Sequence, residues 1–166
     1  MKQKMFVFLL IFQAIIICLV PLQHYLIDDF GETIVLQARK SPDMYYSSNK
    51  DFLYIDYDIN EIPEENWDIS RDMDYQEKVY VVLRADEEGI YRLVRVTDKK
   101  PRLNGDEFSL TGKFGYFNDH EKRYRIEYGV EQLDWKGERP GGYKFLIHLE
   151  VAPWGQRTVS KIEPYE

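Results

Sequence analysis

Asp51–Asn60 reads DFLYIDYDIN, and its alternation decides the fold class. Leu53, Ile55, Tyr57 and Ile59 fall on one face of an extended chain; Phe52, Tyr54, Asp56 and Asp58 fall on the other. Successive side chains of a strand point to opposite sides of a sheet, so this period of two predicts a half-buried β-strand. The rhythm recurs outward in both directions. Thr33–Ala38 is a strand before it. Lys78–Arg84 and Ile90–Thr97 follow, flanking Asp86-Glu87-Glu88-Gly89, a hairpin turn with glycine where a positive φ is needed. Glu107–Phe117 places Phe108, Leu110, Phe114 and Tyr116 on one face. Tyr124–Leu133 turns Tyr124, Ile126, Tyr128 and Val130 inward. Tyr143–Val151 alternates Tyr143, Phe145, Ile147, Leu149 and Val151, and Gln156–Ile162 closes the series. Between them, Glu61–Gln76, Lys99–Asp106, Asn118–Lys122 and Asp134–Gly142 read as connectors. About seven or eight short strands with turns between them predict an all-β domain, an antiparallel sandwich or barrel-like. Thirteen tyrosines and nine phenylalanines suit such pleated, half-buried surfaces.

The chain ahead of these strands has a different character. Met5–Leu22 (MFVFLLIFQAIIICLVPL) is an apolar run relieved by Gln13, and Tyr25–Ile27 extend it. That approaches the ~20 residues that cross ~30 Å of hydrocarbon as a helix. Lys2 and Lys4 precede it and Asp28 and Asp29 follow it, which by the positive-inside rule leaves the N-terminus in the cytoplasm. The expected organisation is therefore a cytoplasmic tail over residues 1–4, a transmembrane anchor over residues 5–27 and an extracytoplasmic β-rich domain over residues 28–166. A cleaved signal peptide is the competing reading, but no A-x-A site follows the run. Ile15–Ile17 likewise lack the small residues that a lipobox would place before Cys18. A buried core helix would carry a single apolar stripe, whereas this run is apolar all round.

Composition narrows the partners. The chain carries 22 Lys+Arg against 29 Asp+Glu, a net charge of -7. An acidic domain without a basic stripe argues against nucleic acid. The only cysteine, Cys18, lies in the apolar run, so the β-domain has no disulfide.

A family resemblance rests on ordered motifs. In Lys50–Tyr57 (KDFLYIDY), Asp51, Phe52, Ile55 and Tyr57 fit the Asp, Tyr, Leu and final Tyr of a Gly-Asp-Tyr-x-x-Leu-x-Tyr signature. Asp43 fits the acid of the preceding turn, and Lys50 stands at the glycine. Lys78–Thr97 is similar to a central hairpin, Leu110-Thr111-Gly112-Lys113 to a Leu-x-Gly-basic strand, and Tyr128-Gly129-Val130-Glu131 to a Tyr-Gly-Ile-Glu segment. The chain thus resembles the GDYXXLXY family of bacterial membrane-anchored proteins. The resemblance implies an extracytoplasmic β-domain, often encoded beside multi-pass membrane proteins.

Exposed aromatics beside acids on the Phe52/Tyr54/Asp56/Asp58 face form a recognition surface, unless the Glu61–Gln76 loop covers them. Asp51 serves either as an acceptor for turn N–H groups or as a partner contact. The candidate binding surface comprises Asp43, Asp51, Phe52, Tyr54 and Tyr57, with Tyr128 and Glu131 as neighbours. His24, His120 and His148 are scattered, and Asp68–Asp74 lacks the EF-hand spacing, so no metal and no cofactor are expected. A hydrolase would need an acid pair across a cleft, or Ser41, Ser47 or Ser48 beside a desolvated Lys113 or Lys144. No G-x-S-x-G motif supports the latter. A small-ligand sensor would need a sizeable apolar pocket. The preferred expectation is a non-enzymatic binding or accessory subunit, held in the lipid bilayer by residues 5–27 and partnered by a multi-pass membrane protein.

Overall fold

The computed structural model describes residues 2–41, 52–134 and 142–165, and within the N-terminal helix the side chains of Met5, Val7–Cys18, Ile27 and Phe30. Helix α1 (Lys2–Phe30) leads into ten strands: β1 (Glu32–Lys40), β2 (Phe52–Tyr57), β3 (Glu61–Pro63), β4 (Lys78–Ala85), β5 (Tyr91–Thr97), β6 (Glu107–Asn118), β7 (Arg123–Glu127), β8 (Gln132–Asp134), β9 (Lys144–Val151) and β10 (Arg157–Pro164). They form two five-stranded antiparallel sheets, ordered β10-β9-β1-β2-β8 and β3-β7-β6-β4-β5. The chain passes from the first sheet to the second through a 3-10 turn, Asp58–Asn60, between β2 and β3. A bridge between Val35 and Ile90 joins the sheets again beside β1 and β5, giving a barrel-like sandwich.

Alternation builds the core. Leu53, Ile55 and Tyr57 of β2 are fully buried, as are Ile34, Leu36 and Ala38 of β1 and Phe145, Ile147 and Leu149 of β9. They meet Val79, Val81 and Leu83 of β4, Leu110 of β6 and Ile126 of β7 in one hydrophobic cluster. Ile59 belongs to the 3-10 turn and not to a strand, yet it joins the same cluster.

Three local expectations need correction. Tyr116 is 57% exposed because the β6–β7 register shifts between Phe114 and Phe117, and the extra residue reverses the parity of the strand. The segment Tyr124–Leu133 is not one strand. It breaks at Gly129, whose φ of +77° only glycine adopts without strain, and resumes as β8. Glu61–Gln76 contributes β3 and then packs down: Trp67 stacks on Tyr124 at 4.0 Å and 10°, while Arg71 pairs with Glu77 at 2.5 Å and Asp98 at 3.1 Å.

Helix α1 is continuous, and its last turn is tied to the domain. Ile27 is buried against it, and the Gly31 N–H donates to the Ile27 carbonyl at 2.7 Å. Among the described residues no helix is long and apolar enough to cross a membrane, so the transmembrane span expected over residues 5–27 does not follow from the fold.

One ion cluster holds the far end of the second sheet. The Glu107 carboxylate, with its side chain 2% exposed, accepts from Arg95 at 2.9 Å and Arg84 at 3.2 Å, and from the Asn104 N–H at 3.1 Å. Arg95 first, then the Asn104 N–H, hold this carboxyl at about 2, below its ordinary 4.5. A depressed folded value stabilises the protein above the unfolded value, and that stability is lost as pH falls toward the folded value. Urea midpoints are therefore expected to fall between about pH 5 and pH 2.5, and to fall less in Glu107→Gln. Parallel curves for the two proteins would refute this.

Candidate functional site

The site grows from the end of β2. Tyr57 turns inward, and its hydroxyl donates to the Val130 carbonyl at 3.1 Å. Its ring meets Tyr128 edge-on, with centroids 6.4 Å apart. The chain then curls, and Asn60 locks the curl. Its Oδ1 accepts the Tyr57 N–H at 2.6 Å, and its Nδ2 donates to the Ile126 carbonyl at 2.7 Å and to Glu131 Oε1 at 3.1 Å. The Tyr128 hydroxyl returns the contact, donating to the Ile59 carbonyl at 2.6 Å. Burial, reinforced by Glu131, pushes both tyrosine hydroxyls well above their ordinary value, so they stay neutral donors.

Glu131 organises the turn between β7 and β8. Its Oε1 accepts the Tyr128 N–H, and its Oε2 accepts the Gly129 N–H at 2.7 Å. Its own carbonyl accepts the Ile55 N–H at 2.8 Å. One residue therefore fastens this turn to the motif strand, its side chain holding the turn and its carbonyl holding Ile55 of β2.

Beside this turn lies a groove of about 490 Å³, lined by Gln76, Lys78, Thr111, Gly112, Lys113, Arg125, Glu127, Tyr128, Gly129, Glu131 and Arg157. Gly112 forms a flat part of its wall. A Cβ there would run into Ile126 Cγ2 and come within 3.3 Å of the Tyr128 ring. Arg157, from β10, spans the groove: Nη1 donates to the Tyr128 carbonyl at 2.8 Å and Nη2 to Thr111 Oγ1 at 2.9 Å. Burial lowers its guanidinium from the ordinary value, and Glu131 opposes the shift.

The predicted residues separate into three groups. Tyr57, Tyr128 and Glu131 come together in the network just described. Phe52 and Tyr54 are half-buried on β2, which pairs with β8 through Phe52↔Asp134 and Tyr54↔Gln132. Asp43 and Asp51 lie outside the described residues, as do Ser47 and Ser48. The face expected to carry Phe52, Tyr54, Asp56 and Asp58 is not one open acidic surface: Asp58 is exposed but belongs to the 3-10 turn, and Asp56 of β2 is only 5% exposed. Its Oδ2 lies 3.1 Å from Arg39 Nη2 and its Oδ1 2.6 Å from Arg125 Nη1. The second distance shows that Oδ1 is ion-paired even though no well-angled hydrogen bond reaches it. Among the described residues no group of three or more His, Cys, Asp or Glu side chains is placed to hold a metal ion.

The family described as GDYXXLXY protein matches residues 13–159. The chain belongs to the GDYXXLXY family. No curated protein and no solved structure matches it. In this GDYXXLXY protein the second half of the naming motif is structural. Ile55 and Tyr57 are core residues, and the final tyrosine braces the turn that carries Tyr128 and Glu131. Asn60, Thr111 and Arg157 are the site residues that sequence reasoning does not single out. Thr111 holds only the variable position of its motif and the other two have none; they approach one another because the Asp58–Asn60 turn, β6 and β10 converge on the turn between β7 and β8.

Proposed function

We propose that this protein is a membrane-anchored, extracytoplasmic binding subunit, a non-enzymatic accessory component of a multi-pass membrane protein complex. The observation that carries the reading is the groove beside Tyr128–Glu131: a concave surface edged by charged side chains and braced on its inner side by the buried hydrogen bonds of Tyr57, Asn60 and Tyr128. Rigid backing of this kind lowers the ordering cost of binding.

The anchor has its own support. Met5 is 74% exposed, Phe8 71% and Ile17 70%, so α1 presents large apolar side chains without a covering partner among the described residues. An apolar surface of that extent belongs against lipid or another protein. The charges of Lys2 and Lys4 before it favour a cytoplasmic N-terminus. The hydrolase alternative has less support, since Asp56 already spends both oxygens on arginines and Glu61 lies 3.8 Å from Arg123 and from Arg125.

A photo-crosslinking residue at Lys113, in the full chain in its own membrane, tests the reading. One dominant multi-pass partner is expected, with the protein itself in the alkali-resistant membrane fraction. No product from Lys113, or release of the protein by alkali, overturns it.

A further inference from the structure

The groove wall carries more cations than carboxylates: Lys78, Lys113, Arg125 and Arg157 against Glu127 and Glu131. Lys78 and Lys113 stand directly opposite each other in the β4–β6 ladder. Like charges at such a pair are destabilising, by an amount comparable to what opposite charges contribute there. Among the described residues neither lysine forms a salt bridge; Lys78 rests over the Tyr80 ring at 4.9 Å. Lys113 has Glu127 across the β6–β7 ladder, but Glu127 Oε2 is occupied by the Gln76 amide at 2.8 Å.

Arg157 completes the set. Its two described hydrogen bonds go to neutral acceptors, the Tyr128 carbonyl and the Thr111 hydroxyl, and it forms no salt bridge with a described carboxylate. By contrast Arg39, Arg71, Arg84, Arg92, Arg95, Arg123 and Arg125 are all ion-paired, and the other described arginine without a salt bridge, Arg102, is exposed outside the groove. A guanidinium has five N–H donors in a rigid fork, so donors remain for a ligand. The nearby carboxylate of Glu131 is already satisfied by the N–H groups of Tyr128, Gly129 and Asn60.

We infer that this groove binds a compact oxyanion, a carboxylate or phosphate group, on the Arg157 fork with Lys78 and Lys113 as flanking charges. The inference rests on the binding role proposed above and names the chemistry its groove recognises. An oxyanion adds negative charge beside the opposed lysines, where cations outnumber carboxylates, and the planar fork matches two of its oxygens.

Calorimetric titration of the full chain in nanodiscs, with sodium phosphate and with sodium succinate at constant ionic strength against chloride, tests it. Saturable binding of at least one anion is expected, and which one titrates identifies the source of the oxyanion. Lys113→Gln and Lys78→Gln change exposed side chains and are expected to keep the fold while weakening binding about tenfold each. Arg157→Gln is expected to abolish it. Absence of saturable heat with both anions overturns the inference, as does unchanged affinity in the two lysine variants. A partner that still crosslinks from Lys113 when neither anion titrates leaves the accessory-subunit reading standing and removes only the oxyanion.

Discussion

Asp56→Ala is expected to lower the free energy of unfolding by about 3 kcal/mol, the low end of the range for breaking a buried pair. Asp56 is 5% exposed and sits between Arg39 of β1 and Arg125 of β7, so a single carboxylate bridges the two sheets. Removing it leaves two guanidiniums facing each other with only Glu61, 3.8 Å from Arg125, as a substitute. The estimate stays at the low end because the Arg39 side chain is 44% exposed and that of Arg125 22%, and water softens the loss. A double-mutant cycle with Arg125→Ala isolates the pair from the loss of packing. Equilibrium urea unfolding is the measurement. A destabilisation below about 0.5 kcal/mol would place Asp56 among surface charges and contradict the bridge.

Much of the fold is legible where alternation is long. The segments over β4, β5 and β9 read correctly, and that over β2 does as far as Tyr57, because a one-residue slip would turn a whole hydrophobic face to water. Short strands carry no such signal. β3 spans Glu61–Pro63, and its proline is tolerated because β3 is an edge strand of its sheet. β8, Gln132–Asp134, is too brief for any period to emerge. Tyr116 misreads for another reason. A bulge is a property of two paired strands, and the sequence of β6 alone does not reveal which residue its partner skips.

The site is legible in part for the same reasons. Tyr57, Tyr128 and Glu131 stand out through the family motifs, and all three meet in one hydrogen-bonded network. Asp56 reads as a solvated acid because charge normally implies exposure. Its burial depends on Arg39 and Arg125, which lie 17 and 69 residues away in sequence and approach only when the sheets stack. Arg157 is missed symmetrically. A lone arginine on a terminal strand has no motif, and its distinguishing feature is partial burial in the groove without a described salt bridge.

Glu131→Ala is expected to cost about 3 kcal/mol, roughly 1 kcal/mol for each of the three donors it deserts. These are the N–H groups of Tyr128 and Gly129 and the Asn60 amide. Glu131→Gln separates the contributions: its carbonyl oxygen serves Tyr128 and Asn60, but its NH₂ then faces the Gly129 N–H, donor against donor. The expected order of stability is wild type, then Gln, then Ala, with Gln losing about 1–2 kcal/mol. The effect reaches the groove because the Tyr128 carbonyl that orients Arg157 belongs to the same turn. Faster amide exchange at Gly129 and weaker anion binding should therefore accompany the lost stability in both variants. Stability lost with unchanged exchange at Gly129 would mean that Glu131 acts through something other than this turn. Unchanged anion affinity with faster exchange would mean that Arg157 holds its position without it.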